Sequence, residues 1–403
     1  MTLRARVVTL VLVDAQGAVL GALAPFDAAT PAWLDIGAVL AAVQARHGLQ
    51  LTILRLLEGE GERPRGGAVS YLAQLPDGVS PIGLLPWSGA LPDHPLRQPH
   101  AQVGGPAADL AWAHAVLQSR GGALAGPPQQ MRSWGLSSLW RLPTTEGPLW
   151  LKVVPRFFAH EGPLIQALAG EAVPQLVGQR DARMLMREVS GQDQDAAGLP
   201  GCLALIGQLV ALQSRWLGRT DSLLALGLPD WRAPALTAML SAHARRSEAM
   251  LTADDCELLQ GFVQTLPRRW AEVQDCGIPD GLVHGDFHPG NARGDAAAMT
   301  LLDWADSGVG HPMLDLPPLL HRLGAADAAI AQSHWTAAWR QHLPLADSQR
   351  AATLLAPVAC LRLSALSQRF IDLSEPVEHT YHVRGVAAWM RQSLELLRTE
   401  DRR

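Results

Sequence analysis

The sequence is nearly devoid of lysine. Of its 33 basic residues 32 are arginine, and Lys152 is the single lysine in 403 residues. Cysteine is also scarce. The four cysteines are scattered along the chain and form no CxxC pair. This spacing argues against cysteines that bind a metal or form disulfides, and it predicts a reducing, cytoplasmic location. There is no basic run, and the net charge is only −5, so nothing indicates nucleic acid or membrane binding.

Long apolar runs, internal repeats and low-complexity tracts are absent too. No apolar run approaches the length that crosses a bilayer. The apolar stretch at residues 7–13 is cut short by Asp14 and is followed by no small-residue cleavage site. It therefore predicts a β-strand and not a signal peptide. The length alone predicts two or three domains.

The changes of pattern along the chain predict an α+β protein with three parts. Residues 1–125 alternate strands with a helix, which indicates a small α/β accessory domain and a linker. Residues 126–190 predict a small β-rich lobe, and residues 191–403 a larger and mainly helical lobe. Such a bilobal arrangement, with chemistry on loops between strands, is typical of protein-kinase-like folds.

Two short runs near residue 300 carry the chemistry. Asp286 is followed five residues later by Asn291, and Asp303 lies twelve residues further on. Phosphoryl transfer needs a carboxylate that orients a hydroxyl nucleophile, together with oxygen ligands for Mg²⁺ on the phosphates. We interpret Asp286 as the catalytic carboxylate and Asn291 and Asp303 as the metal ligands. Taken alone, Asp286 would more often be an ordinary turn residue.

The neighbouring polar residues admit more than one interpretation. His284 is expected to brace the loop by hydrogen bonding. Asp306 could assist the metal, or it could cap a turn and so brace the loop. Asp286 and His288 also resemble the Gly-Asp-x-His pattern of two-metal phosphoesterases, but the further His and Asn ligand motifs of such sites are missing.

Lys152 is the second candidate, because it lies mid-strand among apolar residues. A buried ammonium needs anions, and in a kinase these are the nucleotide phosphates and a helix glutamate. The alternative is a solvent-facing lysine on an edge strand. Glu161 is the expected partner because it shares the apolar face of its helix, and Glu171 is the second choice. Ser137 and Ser138, on the preceding loop, could contact phosphates, although the loop has only one glycine.

The residues from about 137 to the end resemble the aminoglycoside phosphotransferase family, whose members have the protein-kinase-like fold and phosphorylate small molecules. The likeness rests on the catalytic-loop pattern at residues 284–291 and the metal motif at 302–306. It also covers a hinge at residues 184–191. The resemblance implies that the backbone of Arg187 and Val189 binds adenine and that Met186 packs beside it.

The chain departs from the family pattern in two places. A Leu-His pair is common on the helix after the hinge, and Gln213 takes the place of that histidine here. This is expected to alter local bracing more than chemistry. The N-terminal domain is an addition that faintly resembles a Nudix hydrolase domain in fold only, since its catalytic glutamates are missing.

These observations predict a small-molecule kinase that uses ATP and Mg²⁺ to phosphorylate a hydroxyl of a sugar, an amino sugar or an aminoglycoside-like molecule. The alternatives are a non-catalytic nucleotide-binding regulator and a protein kinase. A cationic acceptor would need an acidic pocket. Asp372, Glu375 and Glu378 form a modest acidic cluster in the C-terminal helical region.

Overall fold

A computed structural model describes residues 5–61, 63–295 and 298–401. The chain forms two compact units. The first contains the residues up to 162 together with 176–188 and 369–384, and the second contains 163–175, 189–368 and the remainder from 385. The described part of the first unit is rich in strands and that of the second is mainly helical. This agrees with the α+β fold class predicted from the sequence.

The first sheet of the first unit belongs to the accessory region. Its elements are β1 (Arg6–Val13), β2 (Val19–Ala22), β3 (Phe26–Ala28), helix α1 (Gly37–His47), β4 (Thr52–Gly59) and β5 (Gly67–Gln74). The strand order is β2-β1-β5-β4, with β3 also on β1, and β1 runs parallel to β5. Apolar side chains on both faces of β1 are buried, as expected for an inner strand. Helix α1 ends at Gly48, whose φ of 66° suits a C-cap glycine.

The second sheet carries the predicted β-rich lobe. Its elements are helix α2 (Gly105–Ser119), β6 (Gln129–Trp134), β7 (Ser137–Leu142), β8 (Leu149–Val153), helix α3 (Glu161–Ala167), β9 (Leu176–Arg180) and β10 (Arg183–Arg187). The strand order is β6-β7-β8-β10-β9. Alternate side chains of β7 and β8 pack with α2 in one buried cluster. Strand β6 has no counterpart among the strands predicted from the sequence.

The accessory sheet and the second sheet are joined along β6. The side-chain amide of Gln130 accepts from the N–H of Ile53 at 2.9 Å and donates to its carbonyl at 2.8 Å. The N–H of Ile36 donates to the carbonyl of Met131 at 3.1 Å. The free edge of β6 is thus covered by the accessory region, which protects it from other pairing. Helix α2 packs with the second sheet, although the predicted boundary at residue 125 assigns it to the accessory domain.

The second unit contains most of α3 and the rest of the described elements, except for residues 369–384 at the end of α10 and the start of α11. They are β11 (Gln192–Asp193), α4 (Gly198–Arg215), α5 (Thr220–Ala225), β12 (Asp230–Trp231), α6 (Ala233–Ser247), α7 (Ala253–Asp275), β13 (Gly281–Val283), β14 (Ala292–Gly294), β15 (Met299–Leu301), β16 (Gly308–Gly310), α8 (Leu316–Leu320), α9 (Ala325–His342), α10 (Ser348–Asp372) and α11 (Val383–Asp401). Two small sheets, β11-β14-β15 and β12-β16-β13, carry the loops that matter for function.

Helix α10 was not singled out by its sequence, yet it is long and apolar enough to cross a membrane by length and composition. Within its most apolar window, however, 72% is buried inside the protein. Packing in the core of the unit accounts for the apolar composition, as in the central helices of many globular proteins. The expectation that no uninterrupted apolar run approaches spanning length is compatible with this finding, because charged residues such as Arg350 and Arg362 interrupt the helix.

Candidate active site

The loop that carries Asp286 is held by its main chain. It follows the buried strand β13, and the N–H groups of His284 and Gly285 both donate to the carboxylate of Asp315, each at 2.7 Å. Asp315 is fully buried. Burial raises the pKa of Asp315, while His284 and the two N–H groups act in the opposite direction. The start of the loop is thus fixed by charge-assisted hydrogen bonds, which are the stronger kind.

Gln213 takes part in the same anchor. Its side-chain nitrogen donates to Asp315 at 2.7 Å and to the carbonyl of Leu282 at 2.9 Å. The residue that departs from the family pattern therefore has a local bracing contact.

Gly285 fits a position that no other residue could occupy without strain. Its φ is 93°, and an added Cβ would lie 1.7 Å from the carbonyl oxygen of Asp306. Positive φ and close backbone approach both favour glycine. The glycine thus brings the start of the catalytic loop against the turn that follows Asp303.

The Asp286 carboxylate is partly open, with 42% of the side chain exposed. Its Oδ2 lies 3.1 Å from Nδ2 of Asn291 and 3.3 Å from Nε2 of His288. Burial would raise the pKa of Asp286, but the hydrogen bonds from His288 and Asn291 hold it below the usual value. The group is therefore an ionised acceptor at neutral pH, as the proposed catalytic role requires.

Asn291 and Asp303 are brought together by the β14–β15 hairpin. The N–H of Leu302, directly before Asp303, donates to the carbonyl of Asn291 at 2.8 Å. Nδ2 of Asn291 faces Asp286, which leaves its Oδ1 for a cation. An amide oxygen and an exposed carboxylate are hard ligands, and Mg²⁺ commonly takes only one or two protein ligands beside phosphates and water. These two residues fit such an ion.

Asp303 has an unusual backbone. Its φ is 58°, and it is one of two residues other than glycine with positive φ in the described part of the chain. Aspartate tolerates this region better than most residues, but the conformation still costs free energy. Such strain is concentrated at functional positions.

His284 links the catalytic loop to the strand end before Asp303. Nε2 of His284 lies 3.0 Å from the carbonyl of Leu302, and its ring packs on Trp304 with centroids 4.5 Å apart. Burial lowers the pKa of His284 despite the nearby carboxylates, so the ring is neutral at pH 7. A neutral, buried histidine suits bracing better than proton transfer. Asp306 is half-buried in the turn Trp304–Asp306, and its role stays a prediction.

In the first unit, Lys152 and Glu161 form a direct ion pair. Nζ of Lys152 on β8 lies 2.7 Å from Oε1 of Glu161, the first residue of α3. The side chains are 13% and 2% exposed. Glu171, the second choice from the sequence, hydrogen-bonds Arg215 instead. The pairing is the one expected for Lys152, while its contact with a nucleotide stays a prediction.

Ser137 and Ser138 are the first two residues of β7 and directly follow the turn of the β6–β7 hairpin. The hydroxyl of Ser137 accepts from Nε1 of Trp134 at 2.9 Å. Ser138 is fully buried, and its hydroxyl accepts from Nε1 of Trp140 at 3.0 Å. Each hydroxyl thus has one partner within the hairpin, and the phosphate contact expected for the two serines stays a prediction.

Glu378 packs against this hairpin turn, a contact that the sequence analysis did not predict. An added Cβ on Gly135 would lie 3.3–3.5 Å from the Glu378 side chain, and the Gly135 N–H hydrogen-bonds its carboxylate. Glu378 is buried, and burial raises its pKa to about 7. Glu375 binds Arg97 at 2.8 and 3.0 Å. Two of the three residues in the predicted acidic cluster are therefore each engaged by a neighbouring group within the first unit.

The predicted hinge begins in β10. Met186 is buried and Arg187 is exposed at the strand end. The carbonyl of Val189 accepts from Nε of Arg293 at 2.8 Å. These adenine roles stay predictions.

The region that contains these loops matches a known protein family. Residues 129–354, more than half of the chain, match the model of the phosphotransferase enzyme family APH. The chain belongs to this family. The match begins at β6 and leaves the accessory sheet outside it, in agreement with the extra N-terminal region predicted from the sequence.

A solved structure with a TM-score above 0.5 supports the same fold. A candidate aminoglycoside phosphotransferase from Ralstonia eutropha JMP134 is 18% identical, with a TM-score of 0.51 over 73% of this chain and 98% of its own. The macrolide 2′-phosphotransferase MphH from Brachybacterium faecium is 18% identical, with a TM-score of 0.47 over 72% and 98%. Plasmodium vivax ethanolamine kinase is 9% identical, with a TM-score of 0.49 over 66% and 84%. No curated protein matches the chain.

As a phosphotransferase of this family, the chain is a small-molecule kinase with the protein-kinase-like α+β fold. The two-metal phosphoesterase interpretation lacks its ligands. Among the described residues, no group of three His, Cys, Asp or Glu side chains could hold a metal ion. His288, which suggested that alternative, instead contacts Asp286.

Sequence analysis also missed Arg322. One of its terminal nitrogens lies 3.1 Å from Nε2 of His288, and the other lies 3.9 Å from Asp195. Arg322 lies 34 residues after His288 and outside every motif, so no local signal pointed to it. It adds a half-exposed positive charge beside the catalytic loop of this phosphotransferase.

Proposed function

We propose that the protein transfers the γ-phosphate of ATP, bound with Mg²⁺, to a hydroxyl of a small polar acceptor such as a sugar or amino sugar. The observation that carries this proposal is the arrangement of a partly open, ionised Asp286 beside Asn291, with Asp303 held next to Asn291 by the β14–β15 hairpin. This arrangement supplies an acceptor-orienting group and two cation ligands in one loop region.

In the proposed reaction, Asp286 accepts a hydrogen bond from the acceptor hydroxyl and orients its oxygen toward the γ-phosphorus. A bond forms between that oxygen and phosphorus, the bond from phosphorus to the β–γ bridging oxygen breaks, and ADP leaves. The hydroxyl proton passes to Asp286 late in the transfer and then to solvent. Bound Mg²⁺ would offset negative charge on the phosphates. Lys152, oriented by Glu161, would bind phosphate oxygens.

We infer that the acceptor is neutral or singly charged and not polycationic. Glu375 is already paired with Arg97, and Glu378 is buried against Gly135. Arg322 brings positive charge to the region of Asp286. A cytoplasmic location is part of the proposal, because ATP is available there and the four cysteines are free thiols.

The test uses the purified full chain with Mg²⁺ and either ATP or GTP. A thermal-shift screen with a non-hydrolysable ATP analogue would cover sugars, amino sugars, amino alcohols and aminoglycosides, and hits would be followed by ³¹P NMR of the product. A phosphorylated small molecule is expected. Nucleotide binding without turnover would indicate a regulator, and label on protein alone would indicate a protein kinase. Neither binding nor turnover would refute the proposal.

A further inference from the structure

Arg362 is a buried cation close to the catalytic loop. It lies in the middle of α10 and is fully buried. Taking a guanidinium out of water costs several kcal/mol unless hydrogen bonds and opposite charges compensate. An arginine in such a position therefore requires a specific explanation, which its contacts supply.

The contacts of Arg362 are directed at the residue before Asp286. Nη2 of Arg362 donates to the carbonyl of Gly285 at 2.9 Å. The guanidinium carbon lies 4.2 Å from the centroid of the Trp231 ring, which provides a cation–π contact. Nε and Nη1 have no hydrogen-bond partner among the residues that the structure describes.

The electrostatic surroundings explain how the charge is tolerated. Burial lowers the pKa of Arg362, and the carboxylates of Asp315, Asp306 and Asp286 act against this effect. The guanidinium remains charged because its intrinsic pKa is so high. Arg362 is thus a positive charge enclosed near three carboxylates, two of which belong to the catalytic and metal-binding motifs.

The Gly285 backbone is consequently held from both sides. Its N–H donates to Asp315 at 2.7 Å, and its carbonyl accepts from Arg362 at 2.9 Å. The two partners come from separate elements, the turn Pro312–Asp315 and helix α10. Because a peptide unit is planar and rigid, fixing the Gly285 carbonyl fixes the plane that leads into Asp286.

We propose that Arg362 is a positioning residue for phosphoryl transfer: by holding the Gly285 carbonyl, it sets the direction in which the Asp286 carboxylate meets the acceptor hydroxyl. This inference rests on the proposed function of Asp286. A misplacement of about 1 Å at a reacting group can lower a rate by about 100-fold. Loss of the Arg362 contact is therefore expected to affect the chemical step more than nucleotide binding.

The experiment compares Arg362→Met and Arg362→Lys in the full chain. With the acceptor found in the screen, the methionine variant is expected to lower kcat by about 100-fold. The KM for ATP and the Kd for a fluorescent ATP analogue should stay within about threefold. The lysine variant, which keeps a charged donor, should recover at least about tenfold of the lost kcat.

The matched control is Arg6→Met. Arg6 is another fully buried arginine, and it donates to main-chain carbonyls of Ala32 and Asp35 in the accessory region. Its loss should lower the melting temperature but leave kcat near wild type. The proposal is overturned if Arg362→Met keeps the wild-type kcat. It is also overturned if Arg362→Met and Arg6→Met lose the same stability and the same kcat. If Arg362→Met does not fold, Arg362→Gln is judged by the same criteria.

A second readout separates this inference from the proposed function. Hydrogen exchange of the peptide covering residues 282–292 needs no acceptor. Faster exchange there in the Arg362 variants, with the rest of the second unit unchanged, would support positioning even if wild type transfers no phosphate. Unchanged exchange in that peptide would overturn it, as would faster exchange spread evenly over the unit. Transfer by wild type with equal transfer by Arg362→Met would overturn the inference and leave the function standing.

Discussion

Asp286 in the second unit and Lys152 in the first are held in opposite ways. The Asp286 side chain is 42% exposed, and rigidity comes from buried partners of the backbone before it. Lys152 is 13% exposed, and its ammonium is tied directly to the Glu161 carboxylate at 2.7 Å. The difference fits the proposed tasks. A group that meets an acceptor needs an open side chain on a fixed backbone, while a group that binds phosphates can be oriented in advance by a partner.

Two glycines extend the comparison. Gly285 has positive φ and an added Cβ would strike backbone, whereas the atoms nearest to an added Cβ at Gly135 belong to the side chain of Glu378. A backbone obstacle cannot move away, but a side chain can shift by a few tenths of an ångström. The catalytic loop should therefore tolerate far less change than the hairpin turn.

The largest effect is expected from Asp286→Asn. Loss of the proton acceptor should lower kcat by about 10²- to 10⁴-fold while nucleotide affinity changes little, because the side chain is partly open and does not anchor its own loop. Steady-state kinetics and nucleotide titration would measure this. The exposed Asp254 of the same unit provides the control, and Asp254→Asn should behave as wild type. If Asp286→Asn keeps a third of the wild-type kcat, Asp286 is not the acceptor-orienting group.

Lys152→Met tests whether the ion pair with Glu161 holds the lysine in place. It leaves the buried Glu161 without its lysine, and breaking such a pair costs about 3–5 kcal/mol of unfolding free energy. Nucleotide affinity should also fall. Lys152→Met with Glu161→Gln should recover part of the stability in urea denaturation but not the affinity.

The half-exposed pair of Arg141 and Glu188 serves as the control for Lys152. Its side chains are 32% and 33% exposed, so Arg141→Met should lower stability by less than about 1 kcal/mol. Equal losses in Lys152→Met and Arg141→Met would show that the Lys152 pair is not energetically special.

Gly285→Ala should lower the free energy of unfolding by about 3 kcal/mol or more, since the new methyl group overlaps a carbonyl oxygen and the residue must keep a positive φ. Urea denaturation monitored by tryptophan fluorescence would measure it. A loss below about 0.5 kcal/mol would mean that the loop relaxes easily, and the contrast between backbone-held and side-chain-held groups would fail.

Glu378 predicts a dependence of stability on pH. The folded-state pKa of Glu378 is raised from 4.5 to about 7, mainly by burial. The hydrogen bond from the Gly135 N–H lowers this pKa, and the negative charge of Glu375 raises it further. The folded protein therefore holds a proton that the unfolded chain releases, and stability should fall as pH rises from about 4.5 to 7. The full change is on the order of 3 kcal/mol.

Glu378→Gln should remove that part of the pH dependence, which urea denaturation at several pH values would reveal. Glu375→Gln is the control, because Glu375 is paired with Arg97 and makes only the smallest contribution to the raised pKa of Glu378, so most of the slope should remain. An unchanged slope in Glu378→Gln would show that the Glu378 carboxyl does not hold the extra proton.

The smallest effect is expected for Gly135→Ala. The added methyl group would lie 3.3–3.5 Å from the Glu378 side chain, so the free energy of unfolding should change by less than about 1 kcal/mol. A loss as large as that of Gly285→Ala would remove the distinction between the two turns.

The part of the site that could be predicted from sequence is local. Asp286, Asn291 and Asp303 lie within 18 residues, and the β14–β15 hairpin between the last two forces them together. Lys152 and Glu161 are nine residues apart. Short separations leave few ways to arrange such groups, which is why residue type and spacing were informative.

Arg362, Arg322 and Glu378 could not be found in this way. Arg362 reaches Gly285 across 77 residues and Arg322 reaches His288 across 34. On their own helices and turns these residues are ordinary charged positions. The same limit explains helix α10, whose apolar composition suits a membrane as well as a core until its neighbours are known.

By itself, the sequence determined the chemistry: a carboxylate, an amide and a second carboxylate at kinase spacing, and one lysine among arginines on an apolar strand. Local backbone geometry follows from adjacent residues, so these residues could be predicted before the fold was known. The tertiary structure alone decided which buried charges hold that chemistry in place, and that the accessory region completes the edge of β6. Such contacts depend on where distant elements pack, and packing is a property of the whole chain.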